Sequence, residues 1–285
     1  MTKFIAEICS NHNQDLSRAL AFIDKAAEIG AWGVKFQLFR IEKMFHKSIL
    51  NHKDYQFLRE RKEWELPIEW LPILQEQCHR HSIKFGCSPF DLESVRVLKS
   101  YVDFFKVASY ELPWNALLIS IAQFGKPVFL SVGMATIEEI NQACKMFQAE
   151  RVFGDLTVLH CISEYPTPVD ECHLRFIDRI KMITSDIHGV GWSDHSRNPG
   201  VIYRAVHKYG CETIEFHFDL DGEGAEYNMG HCWLPSEIKG VIKAVNEGMV
   251  SDGGLLEYTP QTAKDRLFRR DPDGYRPLKE TRGEL

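Results

Sequence analysis

With 285 residues, 44% of them hydrophobic and 26% charged, the chain has the size and composition of a globular protein with one large core. Its formal net charge of −6 excludes a cationic field for nucleic acid, and no apolar run approaches the ~20 residues of a membrane span. The N-terminus turns polar too early for a signal peptide, and eight scattered cysteines without a C-x-x-C pair read as free thiols of a reducing, cytoplasmic compartment.

In chain order, the first predicted strand is 4–9, with Glu7 on it and Asn11 and His12 just beyond. A helix at 15–29 follows, with Asp15 as N-cap and Gly30 at its end. The second strand, 33–38, carries Lys35 and Gln37, two apart and so on one face. Residues 39–66 form a long charged and aromatic loop, expected to be a lid or a flanking helix. Helix 67–81 leads to strand 83–87 and Ser88, and helix 91–100 leads to strand 103–107, which offers Lys106, then Ser109 and Glu111. Helix 113–124 ends at Gly125 and precedes strand 127–131, ending in Ser131 and followed by Gly133. The T-I-E-E at 136–139 is a capping box opening helix 136–149. Strand 156–161 brings His160, Ser163 and Tyr165, and helix 172–184 follows. Strand 187–193 brings Ser193, Asp194 and His195 before helix 198–209, which ends at Gly210. Strand 211–218 presents Glu215 and His217 on one face before helix 235–249.

Eight strands, each followed by a helix, predict an α/β fold, a (β/α)₈ TIM barrel over 1–250, with a polar tail at 251–285. An open doubly wound sheet is disfavoured because no G-x-G-x-x-G follows the first strand. In such barrels chemistry gathers at the C-terminal strand ends, where this chain places its polar residues. Inward-facing Lys35 and Lys106 need counter-charge, because burying a lone ammonium is costly. Together with Ser88, Ser109, Ser131 and Ser163 they describe a phosphate or phospho-acid pocket; the alternative is internal ion pairs with Glu7, Glu111 or Glu215. His217 and His231, fourteen apart, suit a catalytic divalent ion, Mn²⁺ first, with Mg²⁺ or Co²⁺ as options. A Cys232 thiolate ligand is set aside as too soft for Mn²⁺.

At these residues the chain resembles the sialic acid synthase family, the N-acetylneuraminate synthases with their legionaminic and pseudaminic relatives. The matching segments are IAEICSNHNQD, GVKFQLF, CSPFD, FKVASYEL, GKPVFLSVGMAT, VLHCISEYPTP, GWSDHS and IEFHFDLD, spread in order along the barrel. The resemblance implies an enzyme, a homodimer, that condenses phosphoenolpyruvate with a 2-acetamido sugar to a nine-carbon 2-keto acid and releases phosphate. It places Lys35, Ser88, Lys106, Ser109, Ser131 and Ser163 on phosphoenolpyruvate. Glu7, Gln37, Glu111 and Tyr165 fall at acceptor-sugar and catalytic positions, with Asp194 and His195 also expected to bind substrate. His217 and His231 hold the metal, and Glu7, Lys106 and His217 are the expected catalytic residues. The rivals are a barrel aldolase or phosphoenolpyruvate-dependent synthase for another sugar, and a non-catalytic binding homologue.

Two departures shape further expectations. The loop before His231 reads Y-N-M-G-H and lacks an aspartate that relatives place there, leaving Asn228 or Glu226 as stand-ins. Family members usually continue into an antifreeze-like domain whose arginine reaches the partner subunit's sugar. Here the loop 39–66, the tail arginines Arg266, Arg269 and Arg270, or a separate antifreeze-like partner in trans are the expected substitutes.

Overall fold

Eight short strands with in-and-out alternation decide the architecture. They are β1 (Lys3–Cys9), β2 (Gly33–Leu38), β3 (Lys84–Pro89), β4 (Phe104–Val107), β5 (Val128–Ser131), β6 (Leu156–His160), β7 (Gly189–Asp194) and β8 (Thr213–His217). The computed structural model describes residues 1–150, 156–184, 189–251, 253, 259–266, 268–279 and 282; positions 187 and 188 of the expected seventh strand lie outside the described residues. Each strand pairs in parallel with the next, and β8 pairs back onto β1, so the sheet closes in sequence order. The predicted barrel is therefore observed.

Outward residues such as Phe4, Phe36, Phe85, Phe105 and Trp192 pack under the surrounding helices in one continuous core. Inward residues form two layers of different chemistry. Ile5, Phe104, Phe129 and Leu159 make an apolar floor, closed by Trp32. One residue pair higher, at the C-terminal end of the strands, the lining turns polar, with Glu7 opposite Lys35 and Ser193 opposite Glu215. Phe104 fits the floor only because β3 has glycine beside it: a Cβ on Gly86 would lie 2.1 Å from the Phe104 ring. Gly86→Ala is accordingly expected to lower stability by about 1–3 kcal/mol, the usual cost of overpacking a core. Chemical denaturation checks this, and an unchanged midpoint would mean that the floor yields.

Helix ends follow the local sequence. Asp15 accepts from Ser17 and Arg18 backbone N–H and starts the helix Leu16–Glu28. Thr136 and Glu139 form the reciprocal capping box of the helix Ile137–Ala149. Residues 39–66 are locally helical, with short turns at Ile41–Met44, Lys47–Leu50 and Gln56–Glu60. Phe39, Ile41, Leu50 and Leu58 give this excursion a small core of its own.

The chain divides into two compact units, Met1–Asn246 and Glu247–Leu285. Within the second, a helix runs over Pro260–Arg266, and buried Asp271 accepts from the Tyr275 N–H and pairs with Arg282. Arg270 donates to the Gly274 carbonyl of the same turn. All eight cysteines are buried and free of disulfides. Among the described residues no helix is long and apolar enough to cross a membrane.

Candidate active site

The polar layer of the barrel is a ring of alternating charge. Lys35 pairs with Glu7 and lies 3.7 Å from Glu215. Lys106 approaches the other Glu215 oxygen at 3.7 Å. The ion-pair alternative raised from the sequence is thus present, through Glu7 and Glu215. Serines from the adjoining strands complete the donor set: Lys35 Nζ donates to Ser88 Oγ at 3.3 Å and Lys106 Nζ to Ser131 Oγ at 2.7 Å. Ser193 Oγ donates to Glu215 Oε1 at 2.8 Å. Pairing compensates Lys35 only in part. Burial pulls its ammonium down to about 8, against the attraction of Glu215. For Glu215, burial pushes the carboxyl up, but Lys106 and Lys35 together outweigh it and hold it below its usual range.

Glu111 sits in the turn after β4. Burial pushes its carboxyl up to about 7, with Lys106 pulling the other way. Its Oε2 is buried without a hydrogen-bond partner among the described residues. A carboxyl near neutrality with an unengaged oxygen is suited to carry a proton. Beside it, the Gly133 N–H donates to Ser109 Oγ at 3.0 Å. A Cβ on Gly133 would meet Ser163 Oγ at 2.6 Å and Ser109 Oγ at 2.9 Å, so the backbone itself lines this corner.

A second cluster stands above the ring. His217 Nδ1 and His231 Nε2 lie 3.0 Å apart, and Glu226 Oε2 is 3.9 Å from each. Tyr165 covers them, its ring 4.9 Å from that of His231 and 4.2 Å from that of His195. Burial takes His231 and His195 down to about 4, and with its histidine neighbours takes His217 well below the usual range. All three imidazoles are neutral, the form that ligates a cation. His195 Nδ1 donates to the Ile162 carbonyl at 2.6 Å, which leaves its Nε2 as an acceptor. Two converging ring nitrogens and a carboxylate fit a divalent metal by the chemistry of the donor set.

The loop that carries Glu226 and His231 is latched to the segment after β1. Asn11 Oδ1 accepts from the Glu226 N–H at 2.8 Å, and Asn13 Oδ1 accepts from the Ala225 N–H at 3.0 Å. Arg18 grips the same loop through Asp219 at 3.0 Å and Asp221 at 2.8 Å. Of the two stand-ins for the absent aspartate, Glu226 reaches the histidines while Asn228 is exposed. Arg61, from the 39–66 excursion, contributes attraction at Glu226, although burial dominates and raises that carboxyl.

Not every expected residue joins. Asp194 follows inward-facing Ser193 and so faces the helix layer, its oxygens accepting from Trp192 Nε1, Ser196 and Trp233 Nε1. His160, read from the sequence as a mouth residue, also faces outward; it packs on Trp192 and Phe176 and bonds the Cys172 carbonyl. Glu7, Lys35, Gln37, Ser88, Lys106, Ser109, Glu111, Ser131, Ser163, Tyr165, His195, His217 and His231 occupy the mouth. Sequence reasoning passed over Cys9. Its Sγ lies 3.3 Å from His217 Nδ1 and accepts from Gln37 Nε2 at 3.2 Å.

A family model described as the NeuB family matches residues 22–255. The chain belongs to the NeuB family. Among its NeuB relatives, N,N'-diacetyllegionaminic acid synthase of Campylobacter jejuni is 34% identical over 84% of this chain and 73% of its own length. The spore coat polysaccharide biosynthesis protein SpsE of Bacillus subtilis is 30% identical over 85% of this chain, which spans 66% of that protein's length. In three dimensions the chain is similar to the N-acetylneuraminic acid (sialic acid) synthetase of Leptospira borgpetersenii, solved in complex with citrate. The TM-score is 0.80 at 27% identity, covering 93% of this chain and 89% of that one.

Proposed function

We propose that the chain condenses phosphoenolpyruvate with an open-chain 2-acetamido sugar of the N-acetylmannosamine type, forming a nonulosonic 2-keto acid and releasing phosphate. The observation that carries this reading is the lysine–serine ring directly beneath a two-histidine, one-carboxylate cluster at the barrel mouth. Two anionic groups on one small substrate, a phosphate and a carboxylate, match two ammonium groups with their own serine hydroxyls. Family membership, and relatives named as synthases of legionaminic and sialic acids, support the same reaction class.

In this reading Lys35 with Ser88 and Lys106 with Ser131 hold the phosphate and carboxylate, and Ser109, Ser163 and the Gly133 backbone shape that corner. His217 and His231 hold the divalent cation, whose chemistry when bound is Lewis-acid polarisation of the sugar carbonyl. Gln37, Tyr165 and His195 line the acceptor side. C3 of phosphoenolpyruvate bonds to the sugar carbonyl carbon as that C=O opens and its oxygen takes a proton to become a hydroxyl, water adds at C2, and the C2–O bond to phosphate then breaks, leaving the 2-keto group and free phosphate. Glu111 takes the proton of that water, since no cation pairs with its unengaged Oε2 among the described residues, whereas the Glu7 carboxylate is ion-paired with Lys35 and its Oε1 accepts from Gln37 and the Cys9 N–H. Glu7, one of the expected catalytic residues, in this reading positions Lys35.

A phosphate-release assay with phosphoenolpyruvate, Mn²⁺ and a panel of 2-acetamido and 2,4-diacetamido hexoses tests the proposal. Release that needs both phosphoenolpyruvate and one of the sugars is expected. Binding of phosphoenolpyruvate with no release on any sugar would leave the non-catalytic alternative standing.

The ring also implies a pH dependence. Lys35 titrates at about 8, so its charge is present below that value and lost above it. Phosphoenolpyruvate should bind about tenfold more weakly at pH 9 than at pH 7, because one unit above the pKa about a tenth of the ammonium remains. Calorimetric titration at the two values checks this. Lys35→Met should flatten the difference, and a wild-type affinity that is level across this range would remove Lys35 from the anion site.

A further inference from the structure

Cys9 is the last residue of β1, and its backbone is left-handed, with φ at 49°. A register shift separates it from Glu7 in the pairing with β2. Non-glycine residues hold this conformation only where the surroundings impose it, and such positions concentrate at functional sites. Here the effect is to aim the thiol. Cys9 Sγ stands 3.3 Å from His217 Nδ1, and the donor atoms of Cys9, His217 and Glu226 all lie within 4.8 Å of one another.

We propose that Cys9 is itself a metal ligand, so that this centre is a sulfur-containing site built from Cys9, His217, His231 and Glu226, suited to Zn²⁺ or Co²⁺ rather than to Mn²⁺. The inference rests on the reading that His217 and His231 hold a divalent cation, and deepens it. Tetrahedral zinc with ~2.0–2.1 Å bonds to nitrogen and ~2.3 Å to sulfur sets its ligand atoms roughly 3.3–3.6 Å apart. The His217–His231 separation of 3.0 Å and the Cys9–His217 separation of 3.3 Å are close to those edges. Glu226, at 3.9 Å from both imidazoles, is the loosest member and the one to give way to water or a substrate oxygen. On binding, the thiol proton leaves to solvent and the thiolate takes its place in the metal's coordination.

Cys232 is the competing sulfur. It forms a group with His217 and His231, whereas Cys9 groups with His217 and Glu226, but the Cys232 Sγ is 3.9 Å from His231 Nε2, and it accepts from Asn11 Nδ2 at 3.6 Å. A harder metal gains little from sulfur, whereas Zn²⁺ and Co²⁺ accept mixed nitrogen, sulfur and oxygen donors.

The test is optical and uses the full chain loaded with Co²⁺. Wild-type protein should show a near-ultraviolet thiolate-to-cobalt charge-transfer band and the d–d absorption of a four-coordinate ion. The band should vanish in Cys9→Ser and in Cys9→Gly and persist in Cys232→Ser. Cys9→Gly suits the left-handed backbone, so loss of the band there is not a folding defect. Zinc affinity of the two Cys9 variants should fall at least the ~10–100-fold seen when a metal site's supporting groups are removed, with a smaller change for Mn²⁺. Cobalt bound through His217 without a thiolate band would overturn the role of Cys9 and leave the two-histidine reading intact. A band that disappears in Cys232→Ser instead would assign the wrong sulfur. Failure of wild-type protein to bind Co²⁺, Zn²⁺ or Mn²⁺ would sink both readings.

Discussion

His217→Ala and His231→Ala are each expected to abolish metal uptake and to lower turnover about 10³-fold, while leaving the barrel folded. The rate estimate follows from the several kilocalories per mole of charge stabilisation that a Lewis acid supplies at a carbonyl oxygen. The fold should survive because burial keeps His217 and His231 neutral, so truncation strands no charge. His217 ends β8, and the His231 loop is held separately by Asn11, Asn13 and Arg18. Metal content by elemental analysis, phosphate release and a thermal melt read the three parts. Full metal-dependent turnover in both variants would mean that the histidines are a packed pair and nothing more.

Lys106→Met and Lys35→Met should each weaken phosphoenolpyruvate binding at least tenfold, about 1.4 kcal/mol. They should also cost stability, and the two effects have different origins. Among the described residues Lys106 and Lys35 are the two ion-pair partners of the buried Glu215 carboxylate, so removing Lys106 leaves that charge under-compensated. Breaking a buried pair in this way typically costs about 3–5 kcal/mol. Glu215→Gln added to Lys106→Met should recover much of the stability and none of the affinity. Unchanged dissociation constants in both lysine variants would show that the ring is purely structural.

The barrel was legible because each unit states itself locally. The capping box at 136–139 and the Asp15 cap are local chemistry and were found where expected. The mouth was legible to the extent that inward parity could be counted from a lysine or glutamate in an apolar run. At the end of β7 parity separates neighbours, since Asp194 is one residue beyond Ser193 and turns to the opposite side. Cys9 carried no readable signal: alternation does not encode a register shift or a left-handed residue. Glu226 was hard to rank against Asn228 because its placement depends on an Asn11 contact 215 positions away.

The apolar floor of Ile5, Phe104, Phe129 and Leu159 makes the barrel a vessel with one opening. The lysine ring lies just above that floor, and the histidine cluster and Tyr165 lie above the ring. Whatever occupies the ring must pass the histidines first, and once an acceptor sits beneath Tyr165 the way down is shut. Under the proposed reaction access would then be sequential: the deep anion enters before the sugar, and the nine-carbon product departs before the phosphate below it. Steady-state kinetics should then show phosphate competing with phosphoenolpyruvate for the free enzyme and not with the sugar.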